Sequence, residues 1–381
     1  MTPVAIEREV VAIPQPTGGR IDVYSGVARL AGTLWAACWR DTSRTQDTAV
    51  LIVHPTSNFL GHYALRPLAE LGVAAFGLTT RYLGNDSCLL MENCVLDIGA
   101  AVDYLRRAGY ARVVLVGNSG GGGLAALYQS QAEHPTITAT PAGDPPDLTA
   151  TTLPPVDALV LAMAHPGRAT VFTEWLDPAI VDERDPFTRD AALDMYDPNN
   201  APPYDAEFLA RYRSAQLERN RRITAWVRAT LARLAERGAV DDLPFVVHGT
   251  AADPRFLDPA VDPSDRPRET LWGDPWRANH QPATLGHLTS LRSWLSQWSV
   301  EDSRANAYAE LPHVSVPVQV VYGTADTAAF PSHAKKMYEA VRHDRRELVA
   351  IDGAGHYFRG QPELARRMCE HIVDWAARNG D

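Results

Sequence analysis

A serine surrounded by glycines is the first feature of this chain that could do chemistry. In RVVLVGNSGGGGLAALYQ, residues 112–129, glycines at 117, 120, 121, 122 and 123 surround Ser119. Glycine-rich turns join many strands to helices, because glycine adopts positive φ at no steric cost. A serine on a very tight strand-to-helix turn imposes a more specific requirement: the residues two positions before and two positions after it must be small. Gly117 and Gly121 occupy those positions, so we interpret Ser119 as a candidate nucleophile.

A serine hydroxyl is a poor nucleophile until a base takes its proton, and the base needs an acid to orient it. The run VPVQVVYGTADTAAFPSH predicts a strand, then a turn that carries Asp326, then a helix beginning at Pro331. The following strand, in RELVAIDGAGHYF, ends in a glycine-flanked loop that presents His356. Asp326 and His356 are therefore the candidate acid and base.

The elements that must position these residues alternate along the chain. Short apolar runs predict strands, and helix-like segments lie between the later ones. This alternation predicts an α/β fold class with a doubly wound, mostly parallel sheet, which binds ligands beyond the carboxyl ends of its strands. The predicted strands are 4–13, 21–39, 49–54, 73–78, 112–117, 156–163, 316–322 and 347–352, and the helices are 61–71, 92–108, 121–132, 332–342 and 361–378.

The alternation stops between about residues 168 and 312, where strand signals nearly vanish. Proline, tryptophan and charged residues become common there. Periodic apolar positions predict a long helix at 205–238 and a second helix at 284–299. We expect this segment to be a large, mainly helical insertion between two parts of the sheet.

These motifs together resemble the α/β-hydrolase superfamily, in which the nucleophile, acid and base follow one another in the order found here for Ser119, Asp326 and His356. The resemblance implies an α/β-hydrolase core formed by residues 1–167 and 313–381. It also implies that residues 168–312 form a cap domain that covers the cleft and selects the substrate.

Two other acids are weaker candidates for the partner of the histidine. Asp352 lies too close in sequence to His356 to reach its far nitrogen easily. Some members of the superfamily take the acid from the strand before the insertion, but here LAMAHPG is followed by no acid until Glu174. Asp326 is therefore favoured.

An acyl-transfer site also needs donors for the negative charge that develops on the substrate oxygen. The resemblance assigns one donor to the backbone N–H of Gly120. The second would come from the loop in LIVHPTSNFLGHY, where the superfamily usually has a His-Gly pair and this chain has His54 followed by proline. Proline has no N–H, so the alignment points to the N–H of Thr56, with Ser57 as the alternative.

Several polar side chains are predicted to lie near the same cleft. His54, His62 and His165 fall at or near the carboxyl ends of strands. Polar lining of a pocket, or hydrogen bonds within loops, is favoured over a metal site, because a metal needs three converging ligands. We expect His54, Ser57, His165 and Tyr357 to line the substrate pocket, and we expect no metal and no cofactor.

Composition restricts the partners of the chain. Its 381 residues carry 36 Lys and Arg against 46 Asp and Glu, a net charge of -10. This balance argues against nucleic acid or a membrane as the main partner and leaves a small-molecule substrate. The N-terminal sequence has no signal-peptide pattern, so a cytoplasmic protein is expected. The oligomeric state stays open, a homo-oligomer included.

The function that the resemblance implies is a serine hydrolase that cleaves a carboxylic ester, or a lactone, thioester or amide, of a small to medium organic substrate through an acyl-enzyme. An acyltransferase or a hydrolase of carbon–carbon bonds would use the same three residues. A noncatalytic ligand-binding protein on this fold is the alternative from another class. Side chains of the insertion choose the substrate, and the sequence alone does not identify which of its tryptophans face the cleft.

Overall fold

A mixed sheet organises the chain. The computed structural model describes residues 5–20, 32–238, 240–282 and 284–379. Within these ranges eight strands form one sheet, in the order β1-β2-β4-β3-β5-β6-β9-β10. Its strands are β1 Ile6–Pro14, β2 Thr33–Asp41, β3 Thr48–Val53, β4 Ala74–Leu78, β5 Arg112–Ser119, β6 Ala158–Ala164, β9 Val318–Gly323 and β10 Arg346–Ile351.

Most of this sheet is parallel. β2 pairs antiparallel with both β1 and β4, and each further neighbouring pair is parallel. The fold class predicted from the alternating pattern is thus confirmed. The predicted strand at 21–39 is described only from residue 32 onward, and its earlier part lies outside the described residues.

Helices cover both faces of the sheet, because its central strands are apolar along their whole length and must be buried on two sides. Every residue of β4 and β6 is buried. One core layer packs α2 and α3 on the sheet, and the opposite layer packs α1 and α10. The helices are α1 Leu65–Glu70, α2 Met91–Arg107, α3 Gly121–Glu133, α4 Arg168–Trp175, α5 Ala206–Arg237, α6 Pro275–His280, α7 Leu291–Ser293, α8 Ala307–Glu310, α9 Pro331–Ala340 and α10 Pro362–Arg378.

Between β6 and β9 the described chain leaves the sheet. The long helix α5 forms where the apolar periodicity predicts it, with the Asp205 side chain accepting from the Phe208 N–H and left-handed Gly238 ending the helix. The predicted helix at 284–299 is wrong in its first half. Leu288–Ser290 form strand β8, which pairs with β7 (Pro244–Val246), and helical structure begins only at Leu291.

The last residues of the segment between β6 and β9 pack against the sheet. Ala305, Ala307 and Leu311 are buried in the same apolar layer as α2 and α3. Part of the insertion has an apolar cluster of its own, in which α4, α5 and α7 pack around Phe172 and Trp294. None of the described helices has the length and apolarity of a membrane span.

Candidate active site

Ser119 ends β5 in a backbone conformation that few non-glycine residues adopt. Its φ is 52°, in the left-handed region. α3 begins at Gly121, so the chain reverses from strand to helix within two residues of the serine. This is the tight turn that the spacing of Gly117 and Gly121 predicts.

The glycines around Ser119 are required by close packing of backbone against backbone. A Cβ on Gly117 would lie 2.6 Å from the carbonyl oxygen of Gly121, and a Cβ on Gly121 would lie 2.1 Å from that of Val53. Gly122 and Gly123 meet carbonyl oxygens at 2.3 and 2.5 Å in the same way. The glycine run therefore lets α3 start directly against the end of β3 and the segment that follows β6.

The three residues predicted to act together do lie together. His356 Nε2 is 2.9 Å from Ser119 Oγ, and His356 Nδ1 is 2.8 Å from Asp326 Oδ2. These side chains come from the ends of β5, β9 and β10 and are separated by up to 237 positions in the sequence. They form one hydrogen-bonded chain from carboxylate to imidazole to hydroxyl.

Asp326 is held as an acceptor from two sides. Its Oδ1 accepts the backbone N–H groups of Ala328 at 2.7 Å and Ala329 at 2.9 Å, and the side chain is fully buried. These two donors favour the ionised carboxylate, which only accepts hydrogen bonds, so we assign the ring proton of neutral His356 to Nδ1. His356 Nε2 is then unprotonated and faces the serine hydroxyl as a base.

The rejected acids have other positions. Asp352 is exposed at the end of β10. The Glu174 carboxylate is bound by Arg255 and lies 2.9 Å from His333 Nε2. In the described structure the carboxylate beside His356 Nδ1 is that of Asp326.

Ser119 opens into a small cavity of about 110 Å³. The four side chains predicted to line the pocket, His54, Ser57, His165 and Tyr357, all line this cavity. The insertion contributes aromatic side chains to its wall. Among the insertion's tryptophans, Trp272 and Trp298 line the cavity, as does Trp175, whereas Trp226 and Trp276 are exposed. Its lining is His54, Thr56, Ser57, Ser119, Gly120, His165, Arg168, Val171, Phe172, Trp175, Leu271, Trp272, Leu285, Trp298 and Tyr357.

Burial favours the neutral form of the two histidines that line this cavity, His54 and His165. Burial lowers the pKa of His54 and of His165 well below the ordinary value, and the charge of Arg168 lowers each further. Burial also lowers the pKa of His62 to about 4. The described residues hold no group of three His, Cys, Asp or Glu side chains that could bind a metal ion.

Loop 54–57 has a conformation that the sequence does not reveal. His54 Nδ1 accepts the N–H of Thr56 at 3.1 Å and the N–H of Ser57 at 3.0 Å. Both backbone groups considered as the second oxyanion donor therefore point at the imidazole in this structure.

Arg168 is a buried cation in the cavity that the sequence interpretation missed. It begins α4 directly after the segment that follows β6, and its side chain is 2% exposed. Its guanidinium bonds Asp86, Gln297 and Thr56 and stacks on Trp298. The only available signal was its position, one residue past HPG at the carboxyl end of a central strand.

Comparisons with known proteins agree with this architecture. The α/β-hydrolase GrgF from Penicillium sp. sh18 superposes with a TM-score of 0.52 at 11% identity, covering 98% of this chain and 99% of that one. The esterase domain of a Rhodothermus marinus protein gives a TM-score of 0.50 at 14% identity and covers 98% of both chains. No protein-family model and no curated protein matches the sequence. The fold is that of the α/β-hydrolase superfamily, as the resemblance in the sequence predicts.

Proposed function

We propose that this protein is a serine hydrolase that cleaves a carboxylic ester, or a related lactone, thioester or amide, through an acyl-enzyme. The observation that carries the proposal is the hydrogen-bonded chain of Asp326, His356 and Ser119. The esterase domain of the Rhodothermus marinus protein, which shares the fold, is consistent with it.

In the first step His356 Nε2 takes the proton of the Ser119 hydroxyl while Oγ bonds to the substrate carbonyl carbon. The carbonyl oxygen becomes an oxyanion, and the buried Asp326 carboxylate stabilises the imidazolium that forms. The Gly120 N–H stands at the start of α3, where the first N–H groups have no partner within the helix and the helix dipole favours negative charge. We assign it as one oxyanion donor.

The tetrahedral intermediate collapses by breaking the bond to the leaving alcohol, which takes the proton from His356 Nε2. Water then attacks the acyl carbon and gives its proton to the same nitrogen. The bond to Ser119 Oγ breaks, the serine recovers its proton and the carboxylic acid leaves. We assign the proton transfers to His356 because its Nε2 lies 2.9 Å from Ser119 Oγ, whereas burial lowers the pKa of His54 and of His165.

The cavity restricts the acyl group. A volume of about 110 Å³ is well below the roughly 300–1,000 Å³ of pockets that bury drug-sized ligands. A second cavity, of about 250 Å³, borders His356 and shares Leu271 and Tyr357 with the first. We assign the first cavity to a short acyl group and the second to the leaving group.

Labelling with a fluorophosphonate, followed by peptide mapping, tests the nucleophile. Wild-type protein should be labelled at Ser119 and should hydrolyse short p-nitrophenyl esters, while Ser119→Ala should do neither. Ser57→Ala is the matched control, because this second serine lines the same cavity and its loss should leave labelling intact.

The outcome separates the alternatives. Absence of labelling in folded wild-type protein would refute the proposal and favour a noncatalytic ligand-binding protein. Labelling combined with acyl transfer to an added alcohol in preference to water would identify an acyltransferase. Labelling with activity on diketones but not on esters would identify a carbon–carbon bond hydrolase.

A further inference from the structure

Loop 54–57 offers no free backbone N–H as a second oxyanion donor. Proline at position 55 has no N–H to offer. The next two amides, those of Thr56 and Ser57, both donate to His54 Nδ1. Both N–H groups therefore donate to the imidazole and are not available to the cavity.

The same two bonds fix the protonation of His54. Its Nδ1 accepts two N–H groups and so carries no proton, and the ring is neutral because burial and the charge of Arg168 lower its pKa. The single ring proton therefore lies on Nε2. An ideal Cβ placed on Gly120 would stand 2.9 Å from this nitrogen, so the Nε2–H group of His54 lies next to the residue that follows the nucleophile.

The Nε–H group of Arg168 lies near the same residue. Its Nε is buried and has no hydrogen-bond partner among the described residues. The ideal Cβ position of Gly120 lies 3.5 Å from it. A buried guanidinium N–H without a partner is costly, and Arg168 is one of the residues that line the cavity at Ser119.

The rest of the guanidinium is held in place. Nη1 donates to the carboxylate of Asp86 at 3.1 Å and to Gln297, and Nη2 donates to Thr56 Oγ1 at 3.2 Å. These bonds leave Nε–H as a fixed donor. Donors fixed before the reaction need no reorganisation when charge develops, which makes them effective in catalysis.

We propose that the Nε–H of Arg168 is the second donor of the oxyanion hole, acting with the Gly120 N–H and beside the Nε2–H of His54. This inference rests on the proposed function and adds a catalytic residue to it. In this arrangement a side chain near Gly120 supplies the second donor. The sequence predicts a backbone N–H of loop 54–57 in that role. Gly120 lacks a Cβ because that atom would occupy the space between the donors.

Arg168→Lys tests the assignment with little change in charge. Lysine places a methylene where arginine has Nε–H and keeps a cation at the end of the side chain. We expect kcat on a short p-nitrophenyl ester to fall about 10²–10³-fold, as on removal of other oxyanion donors, with KM changed less than about threefold. Phosphonylation of Ser119 should slow in parallel, because the phosphoryl oxygen uses the same donors.

Arg219→Lys is the matched control. Arg219 is also a buried arginine, bonded to Glu183 in the insertion, but it does not line the cavity. The same chemical change should leave kcat within about twofold. An unchanged kcat in folded Arg168→Lys protein would overturn the proposal, and so would a rise in KM alone, which would assign Arg168 to substrate binding.

A second measurement needs no variant and decides the matter if Arg168→Lys does not fold. In a crystal structure of the wild-type phosphonate adduct, the phosphoryl oxygen should lie within hydrogen-bond distance of Arg168 Nε and Gly120 N. Contact with the Thr56 N–H instead would overturn the proposal. Failure of wild-type protein to react at Ser119 would reject the hydrolase function itself, whereas a reactive wild type with an unaffected Arg168→Lys variant would reject only the role of Arg168.

Discussion

Replacing Asp326 with asparagine exchanges one oxygen for an NH₂ group, and the structure determines where that group goes. Asp326 Oδ1 accepts the N–H groups of Ala328 and Ala329. An asparagine that kept both bonds must leave its oxygen there. Its NH₂ would then replace Oδ2, which lies 2.8 Å from His356 Nδ1.

This orientation reverses the protonation of the imidazole. The amide donates to Nδ1, so the ring proton moves to Nε2 and faces Ser119 Oγ, where the base should be. In the opposite amide orientation the NH₂ group would face the two buried N–H groups. The free energy cost would be about 1–3 kcal/mol for each N–H left without an acceptor. Other triads lose about 10⁴-fold in kcat on this exchange, which is about 5.5 kcal/mol of barrier at about 1.36 kcal/mol per tenfold change.

The assay is steady-state hydrolysis of a short p-nitrophenyl ester, with circular dichroism and thermal unfolding as checks of the fold. Asp326→Asn should fold and lose about 10⁴-fold in kcat. Asp352→Asn and Glu174→Gln are the matched controls, because each makes the same carboxyl-to-amide exchange at a rejected acid. Retention of more than a tenth of the activity in folded Asp326→Asn, or a comparable loss in Asp352→Asn, would refute the assignment of the acid.

Four further outcomes are expected. Ser119→Ala and His356→Ala should each lower kcat at least about 10³-fold with little change in melting temperature; a tenth of wild-type activity in either variant would contradict the mechanism. Gly121→Ala should prevent folding or greatly lower the melting temperature, since its Cβ would lie 2.1 Å from a β3 carbonyl oxygen; a stable variant would contradict the packing argument. Phe172→Ala should enlarge the cavity and raise kcat/KM for longer acyl esters relative to acetate, and an unchanged ratio would remove this side chain from acyl selection. His165 has a pKa lowered by burial, so unfolded protein binds the extra proton below about pH 6.5 and stability falls as pH drops, by up to about 1.4 kcal/mol per pH unit. His165→Gln should therefore lose less melting temperature than wild type between pH 7 and pH 5, and an equal loss would contradict this sign.

The sheet and the placement of its three key side chains were predictable from local patterns. Central parallel strands are continuous apolar runs, and the glycines around Ser119 are required by backbone contacts that any such turn makes. Asp326 and His356 follow strand ends, so topology alone brings them to one edge of the sheet. Element bounds were therefore predicted to within a few residues wherever strands and helices alternate.

The pocket wall was not predictable in this way. Trp272 and Trp298 face the cavity while Trp226 and Trp276 face outward, and periodicity does not encode this difference because it follows from how the insertion folds back over the sheet. The helix predicted at 284–299 fails for the same reason: a pairing with residues 244–246 outweighs local propensity. Arg168 carries no motif, and its bonds reach residues 82 and 129 positions away.

Contacts of Arg168 connect the two ends of the insertion to each other. Arg168 is the first residue of α4, and its partners Gln297 and Trp298 come from the far end of the same insertion. The two ends of the segment thus meet beside Gly120. An insertion transplanted from another protein of this fold would remove this guanidinium from the cavity. With Arg168 as the proposed oxyanion donor, exchange of the insertion is restricted to segments that bring an equivalent donor, and we expect variation in specificity to concentrate in the middle of the insertion.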